Sequence, residues 1–271
     1  MHPDVVYDQA AMNARYTPAI NTGAYGDRHL DDERVWAAAE LLAATGADSF
    51  RVAASAVLTD TLSVPSWNSV AGLGLYTLVE RRATLPAGFD TTALKRRLVA
   101  LAQPLLERSR VSPYGVPIGG ARDWVWGSNA VAANEGVVLL EAYRLTADRG
   151  YLNAAVAALD YLLGRNGTGY SFVTGYGSRT PQSPHHRLSA SDTVGAPIPG
   201  LLVGGPNPGQ QDRCGGYPSR LPALSYVDHQ CNYAANEIAI NWNAPFVFLA
   251  AAVDAIFTDV APAPPQRRRS Q

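Results

Sequence analysis

The stretch DDERVWAAAELLAATG, residues 31–46, places three acids ahead of an Ala/Leu-rich run and closes on a glycine. Acids in a first turn favour a helix N-terminus through the backbone dipole, and a glycine just past the last periodic residue is a common helix stop. The stretch is therefore helical, and it sets the pattern for its neighbours. Further amphipathic segments run from about 48 to 58, 67 to 81 and 91 to 108, the last opened by a capping Asp90. Two more span about 128–146 and 151–163, and a final one is expected over about 233–257. Alternation of period two is nearly absent, so the chain is all-α. Helices joined by short loops form antiparallel hairpins, stacked either as a solenoid or as a closed α/α toroid. Periodicity does not separate the two, although the absence of a fixed-length repeat weakens the solenoid.

The chain has 271 residues, 47% of them hydrophobic and 17% charged, which is ample for a sizeable core. Its formal net charge of −1 provides no broad positive field for nucleic acid or an anionic membrane, so neutral partners are expected. No run approaches the roughly 18 apolar residues that would suggest a membrane span. The opening residues contain acids and lack the basic and apolar regions of a secretory leader. Cys214 and Cys231 permit at most one disulfide, and two thiols alone make a poor zinc site.

Between 164 and 232 the texture changes to Gly, Pro, Asn and Ser. A connection of roughly seventy residues inside a compact domain usually builds a functional surface. The ends differ again: residues 1–18 form a lead-in, and the Pro/Arg-rich tail 259–271 is expected to be disordered.

Chemistry concentrates in two places. The first is SFVTGYGSRTPQSPHHR (171–187), a glycine-rich loop ending in two histidines and an arginine. Such a cluster suits metal binding, sugar-hydroxyl recognition or a merely solvated loop. The second is YVDHQCNYAANEIAINWNAP (226–245), where Asp228 precedes Glu237 among aromatic and amide side chains. Tyr233 and Glu237 are spaced to share one helix face. A carboxyl in so apolar a run is partly desolvated, which raises its pKa and suits a general acid; a Glu favoured by a helix N-terminus is the plainer alternative.

These residues resemble the two active-site signatures of glycoside hydrolase family 9. In the first, Gly177, Arg179, Pro184, His185 and Arg187 stand at the required spacing. In the second, so do Tyr226, Asp228, Tyr233, Glu237, Ala239, Asn243 and Ala244. Similarity extends through TGAYGD (22–27), WGSN (126–129) and PGLLVGGPN (199–207), covering about 19–257, so that 19–258 is assigned as the C-terminal portion of the family's catalytic domain.

The resemblance implies part of an (α/α)6 barrel, about half of the toroid, with a long Gly/Pro-rich active-site loop region. It implies hydrolysis of β-1,4-glucosidic bonds with inversion, of the endo type by the habit of the family's majority. Glu237 then corresponds to the general acid, Asp228 to a neighbouring active-site carboxylate, and His185 and Arg187 to contacts with sugar hydroxyls. Tyr233 lies beside the same sugar, and Trp126 either stacks on a glucose ring or fills the core. His186 falls at an unconstrained position. No cofactor is required; structural calcium is common in the family, but no full oxygen-ligand set is placed here. The intact enzyme is expected outside the cell, where its β-glucan polysaccharide or oligosaccharide partner lies.

One element of the family's pattern is missing. Inversion needs a second carboxylate roughly 6.5–9.5 Å from the acid to activate water, and the resembling enzymes supply it from an early Asp-Ala-Gly-Asp motif that this sequence does not contain. The chain alone is therefore expected to be inactive, its partner being a missing N-terminal half. The competing expectations are a noncatalytic glucan-binding remnant and one chain of a split enzyme.

Overall fold

The computed structural model describes residues 8–20, 26–27, 29–191 and 194–258. The expected disordered tail, 259–271, and most of the TGAYGD stretch lie outside the described residues. The chain divides into two compact units, residues 1–97 and 98–271.

In the first unit, α1 (Gln9–Asn13) is capped by the Asp8 carboxylate, which accepts from the Ala11 N–H. The helix that decides the fold, α2 (Asp31–Thr45), carries Asp31, Asp32 and Glu33 in its first turn and ends on Gly46 at φ 66°, a left-handed conformation that glycine adopts without strain. The single helix expected over 48–58 is broken into a 3-10 turn (Asp48–Phe50), α3 (Arg51–Ala54) and α4 (Ala56–Thr59). The break falls at Ser55, whose hydroxyl donates back to the Arg51 carbonyl at 2.8 Å and competes with regular helix bonding.

The next helix is shorter than expected: α5 covers Ala71–Glu80. Its start is set by Asp32 of α2, whose carboxylate accepts the Val70 N–H at 2.7 Å. Helices α2 and α5 pack closely, and a Cβ on Gly74 would lie 3.1 Å from the Ala39 Cβ and 3.2 Å from the Trp36 Cα. Helix α6 (Thr91–Val111) opens with the Asp90 carboxylate accepting from the Ala93 N–H, as expected.

The second unit is organised by α7 (Ser128–Thr146) and α8 (Arg149–Leu162), both close to their expected bounds. Their turn is fixed by Asp148, which caps the Gly150 N–H at 2.7 Å. The loop region holds a short α9 (Arg187–Ser191) where no helix was expected. The final expected helix is two: α10 (Tyr233–Asn236) and α11 (Ile240–Thr258), separated by an extended stretch. Helices α7, α8 and α11 meet at Gly136, where a Cβ would fall 2.6 Å from Leu249 and 3.1 Å from the Ala158 Cβ.

Contrary to the sequence reading, α11 is long and apolar enough to cross a membrane by length and composition. Trp242, Phe246, Leu249 and Val253 give it one buried stripe, while Ile240, Val247, Phe248 and Phe257 are exposed. No strand occurs among the described residues; isolated bridges pair Val173 with Leu202, Val203 with Ile238 and His185 with Glu237.

Candidate active site

The segment 202–205 is the spine on which the candidate site is built. Asn243 brackets Leu202, accepting its N–H at 2.8 Å and donating to its carbonyl at 3.1 Å. From the first turn of α7, Asn129 donates its side-chain amide to the Val203 carbonyl and its backbone N–H to the Gly204 carbonyl. Gly205, at φ 91°, lies so close that a Cβ would come within 2.4 Å of the Asn129 side chain. In turn the Gly204 N–H donates to the Glu237 carbonyl at 2.9 Å, and the Gly205 N–H to the Ala235 carbonyl at 2.8 Å.

This pairing explains why the helix expected through Glu237 stops. Glu237 has φ −72° and ψ 153°, an extended conformation drawn out of the helix by the Gly204 N–H on its carbonyl and by the flanking bonds of Gly205 to Ala235 and His185 to Asn236. The expectation that Tyr233 and Glu237 share one helix face is thereby corrected. Tertiary hydrogen bonding overrides local propensity here.

Aromatic rings join the two residues all the same. Tyr233 sits between Trp126, with centroids 5.2 Å apart, and His185, at 5.6 Å. The Trp126 indole N–H donates to Glu237 Oε2 at 3.1 Å. Burial pushes the Glu237 carboxyl above its ordinary pKa, against the weaker lowering effects of that hydrogen bond and of His185. The His185 backbone N–H donates to the Asn236 carbonyl, and its Nδ1 lies 2.8 Å from the Gln230 carbonyl. A carbonyl only accepts, so Nδ1 carries the proton and Nε2 is the acceptor of the neutral ring.

Asp228 is placed differently from Glu237. Its carboxylate accepts the backbone N–H groups of Gln182 at 2.6 Å and Ser183 at 3.0 Å, and the Asn236 amide at 3.0 Å. Asn236 also donates to the Ser183 carbonyl and accepts from the Tyr226 hydroxyl at 2.7 Å. Asp228 and Asn236 thus fasten the loop that delivers His185. Sequence reading did not single out Asn236, since an amide's role here depends on partners far away in the chain.

Arg187 stands exposed at the start of α9. Trp126, 41% exposed, is a wall of the site rather than a core residue. Beside His185 and Tyr233 opens a cavity of about 670 Å³, lined also by Gln182, Ser189, His229 and Gln230. Cys214 and Cys231 form a disulfide that ties the strand of loop entering this cavity to the loop upstream. Among the described residues, no three His, Cys, Asp or Glu gather in an arrangement that would hold a metal ion.

The chain is 44% identical over 259 residues to the xyloglucan-specific endo-beta-1,4-glucanase BoGH9A of Bacteroides ovatus, an alignment covering 94% of this chain and 44% of that protein. It is 33% identical to a cellulose 1,4-beta-cellobiosidase of Acetivibrio thermocellus, covering 94% of this chain and 31% of the other. Among solved structures, a Bacteroides ovatus GH9 superposes with a TM-score of 0.81 at 40% identity, covering 94% of this chain and 45% of that one. The chain therefore spans less than half the length of these relatives. Its helical fold matches part of the (α/α)6 barrel that such structures form. With the sequence profile of "Glycosyl hydrolase family 9" matching residues 2–250, the chain belongs to that family.

Proposed function

We propose that this chain carries the acid side of an inverting β-1,4-glucan hydrolase, with Glu237 protonating the departing glycosidic oxygen. The observation that carries this reading is the setting of Glu237: a half-buried carboxyl, its pKa raised by burial, held by the Trp126 indole N–H beside His185 and Tyr233. A raised carboxyl pKa favours the protonated form that an acid catalyst of glycoside cleavage uses. His185 and Arg187 contact hydroxyls of the bound sugar, Tyr233 forms its floor, and Trp126 offers an indole face to a pyranose ring. Hydrolysis by protonation and water activation needs no cofactor.

Asp228 takes a supporting part in this reading. Both its oxygens are engaged by the loop 182–183 and by Asn236, so it holds His185 in place and does not activate water. The water-activating carboxylate, roughly 6.5–9.5 Å from the acid in inverting enzymes, comes from a segment outside this sequence. The same segment covers the exposed apolar face of α11, where Ile240, Val247, Phe248 and Phe257 lie open. At about 25 cal/mol per Å² of apolar surface, covering such a face contributes several kcal/mol. The intact enzyme acts outside the cell, where its β-glucan is found.

The test pairs calorimetric titration of the chain with cellotetraose and a reducing-sugar assay on soluble β-glucan. Binding without release of sugar is expected, and Glu237→Gln should leave that binding largely intact. Release of sugar by the chain alone would refute the external base. Absence of binding would refute the sugar site. Restoration of hydrolysis by adding the N-terminal half of a related enzyme, lost again in Glu237→Gln, would establish the acid role; failure to restore it would favour a noncatalytic glucan-binding protein.

A further inference from the structure

Away from Glu237, three charged side chains gather where α6 ends and α7 passes. Arg108 of α6 directs Nη1 at three acceptors: the Pro117 carbonyl at 3.0 Å, Asp123 Oδ2 at 2.5 Å and Glu135 Oε1 at 3.0 Å. Asp123 Oδ2 also accepts the backbone N–H groups of Gly119 at 2.9 Å and Gly120 at 2.6 Å. Glu135 projects from α7 and is 2% exposed. Its Oε2 and the buried Tyr161 hydroxyl of α8 have no hydrogen-bond partner among the described residues. One guanidinium faces two carboxylates. Burial, reinforced by the Asp123 charge, outweighs Arg108 and pushes Glu135 up to about 8, so Arg108 is balanced by Asp123 while Glu135 stays protonated near neutrality.

No step of glycoside cleavage uses these groups. What they enclose is the turn 117–127, which ends in Trp124 and Trp126. The Trp124 ring meets Tyr161 edge-on at 6.5 Å. The Val125 N–H returns to the Asp123 carbonyl at 3.1 Å, and the Ser128 N–H to the Val125 carbonyl at 2.9 Å. On the far side Gly127, at φ 87°, has no room for a side chain, since a Cβ would fall 2.7 Å from the Trp242 indole nitrogen. Trp126 thus sits on a short span tied down at both ends, and its indole N–H reaches Glu237.

We propose that the Arg108–Asp123–Glu135 cluster is a positioning device that fixes the turn 117–127 and, through it, the point at which Trp126 presents its N–H to Glu237. The proposal rests on the reading of Glu237 as the acid, but its mechanism is purely geometric. Asp123 is the keystone, because its one oxygen gathers Arg108 and two backbone N–H groups. Asp123→Asn replaces a charged acceptor by a neutral one and weakens all three of these bonds at once. The turn loosens, Trp126 withdraws, and Glu237 loses a hydrogen bond that favours its charged form. The groups facing the two ends of this relay are Arg108 from α6, Asp123 from the turn, Glu135 from α7 and Tyr161 from α8 at one end, and His185 at the other.

The experiment follows Glu237 itself, by carboxyl NMR titration of the full chain labelled at glutamate, in the wild type, Asp123→Asn, Trp126→Phe and the double variant. Circular dichroism and thermal melting check that each variant is folded. The midpoint of Glu237 should move up in both single variants, and the double variant should move no further than Trp126→Phe alone, because both changes remove the same contact. A folded Asp123→Asn with an unmoved midpoint, or shifts that add in the double variant, overturns the proposal. Should Asp123→Asn fail to fold, Gly120→Ala gives the same readout, since its Cβ would press on the Asp123 carboxylate at 3.0 and 3.2 Å. Failure of the acid reading is seen separately, as reconstituted hydrolysis that survives Glu237→Gln with the NMR shifts still present.

Discussion

Where α7, α8 and α11 meet, the interior consists of Leu139, Leu140, Leu152, Leu162 and Leu249, all fully buried. In the region 164–232 and the stretch that follows it, the corresponding work falls to Asn166, Thr174, Asn207, Asp228 and Asn236, each binding backbone groups through its side chain. The first kind of interior depends on volume and the second on partners. Apolar packing is spread over many weak contacts, so its loss scales with the space vacated. A polar brace is made of a few directional bonds, so its loss is local and leaves named donors or acceptors without a partner.

The largest expected effect attacks the apolar side. Leu249→Ala should destabilise the chain by about 2–5 kcal/mol, because α7 approaches it through Gly136 and cannot easily collapse further. Urea unfolding measures this, and a loss below about 1 kcal/mol would show that the three-helix junction is looser than described.

A second effect comes from the exception within the helical part. Glu135 has a folded pKa near 8 against an ordinary value of 4.5. Between those values the folded chain holds a proton that the unfolded chain has released, so stability is greatest below the window and falls as pH rises through it. The fall should be on the order of a few kcal/mol between pH 5 and pH 8. Glu135→Gln should flatten it, as read by melting at the two pH values; a dependence unchanged in that variant would place the titrating group elsewhere.

The smallest effect belongs to the loop. Asn236→Ala should cost about 1–3 kcal/mol and reduce cellotetraose binding through a displaced His185, while α7 and α8 keep their amide protection in hydrogen exchange. Loss of protection throughout would erase the distinction between the two kinds of interior.

This contrast also explains what the sequence made legible. Helices α2, α6, α7 and α8 were readable because capping acids, a stop glycine and apolar spacing are local signals. The candidate site residues come from types at a spacing in two signatures, and the structure brings Trp126, His185, Tyr233 and Glu237 of that set together. What escaped were the features fixed by distant partners. The interruption at Glu237 depends on Gly204, and the role of Asp228 on the backbone of Gln182 and Ser183. The Arg108 cluster joins residues drawn from α6, a turn and α7, with no motif among them. At α11 the helix as a whole is apolar enough for a membrane span although Asn241, Asn243 and Asp254 interrupt its apolar residues, so counting an unbroken run passes over it.

The backbone bridge between His185 and Glu237 has one more consequence. Two residues held opposite each other by main-chain atoms keep their separation whatever side chains they carry. The pair is therefore a socket: its chemistry can be exchanged, acid for amide or imidazole for another ring, without redrawing the site. That makes it a suitable place to install a reporter or a crosslinker aimed at the neighbouring cavity.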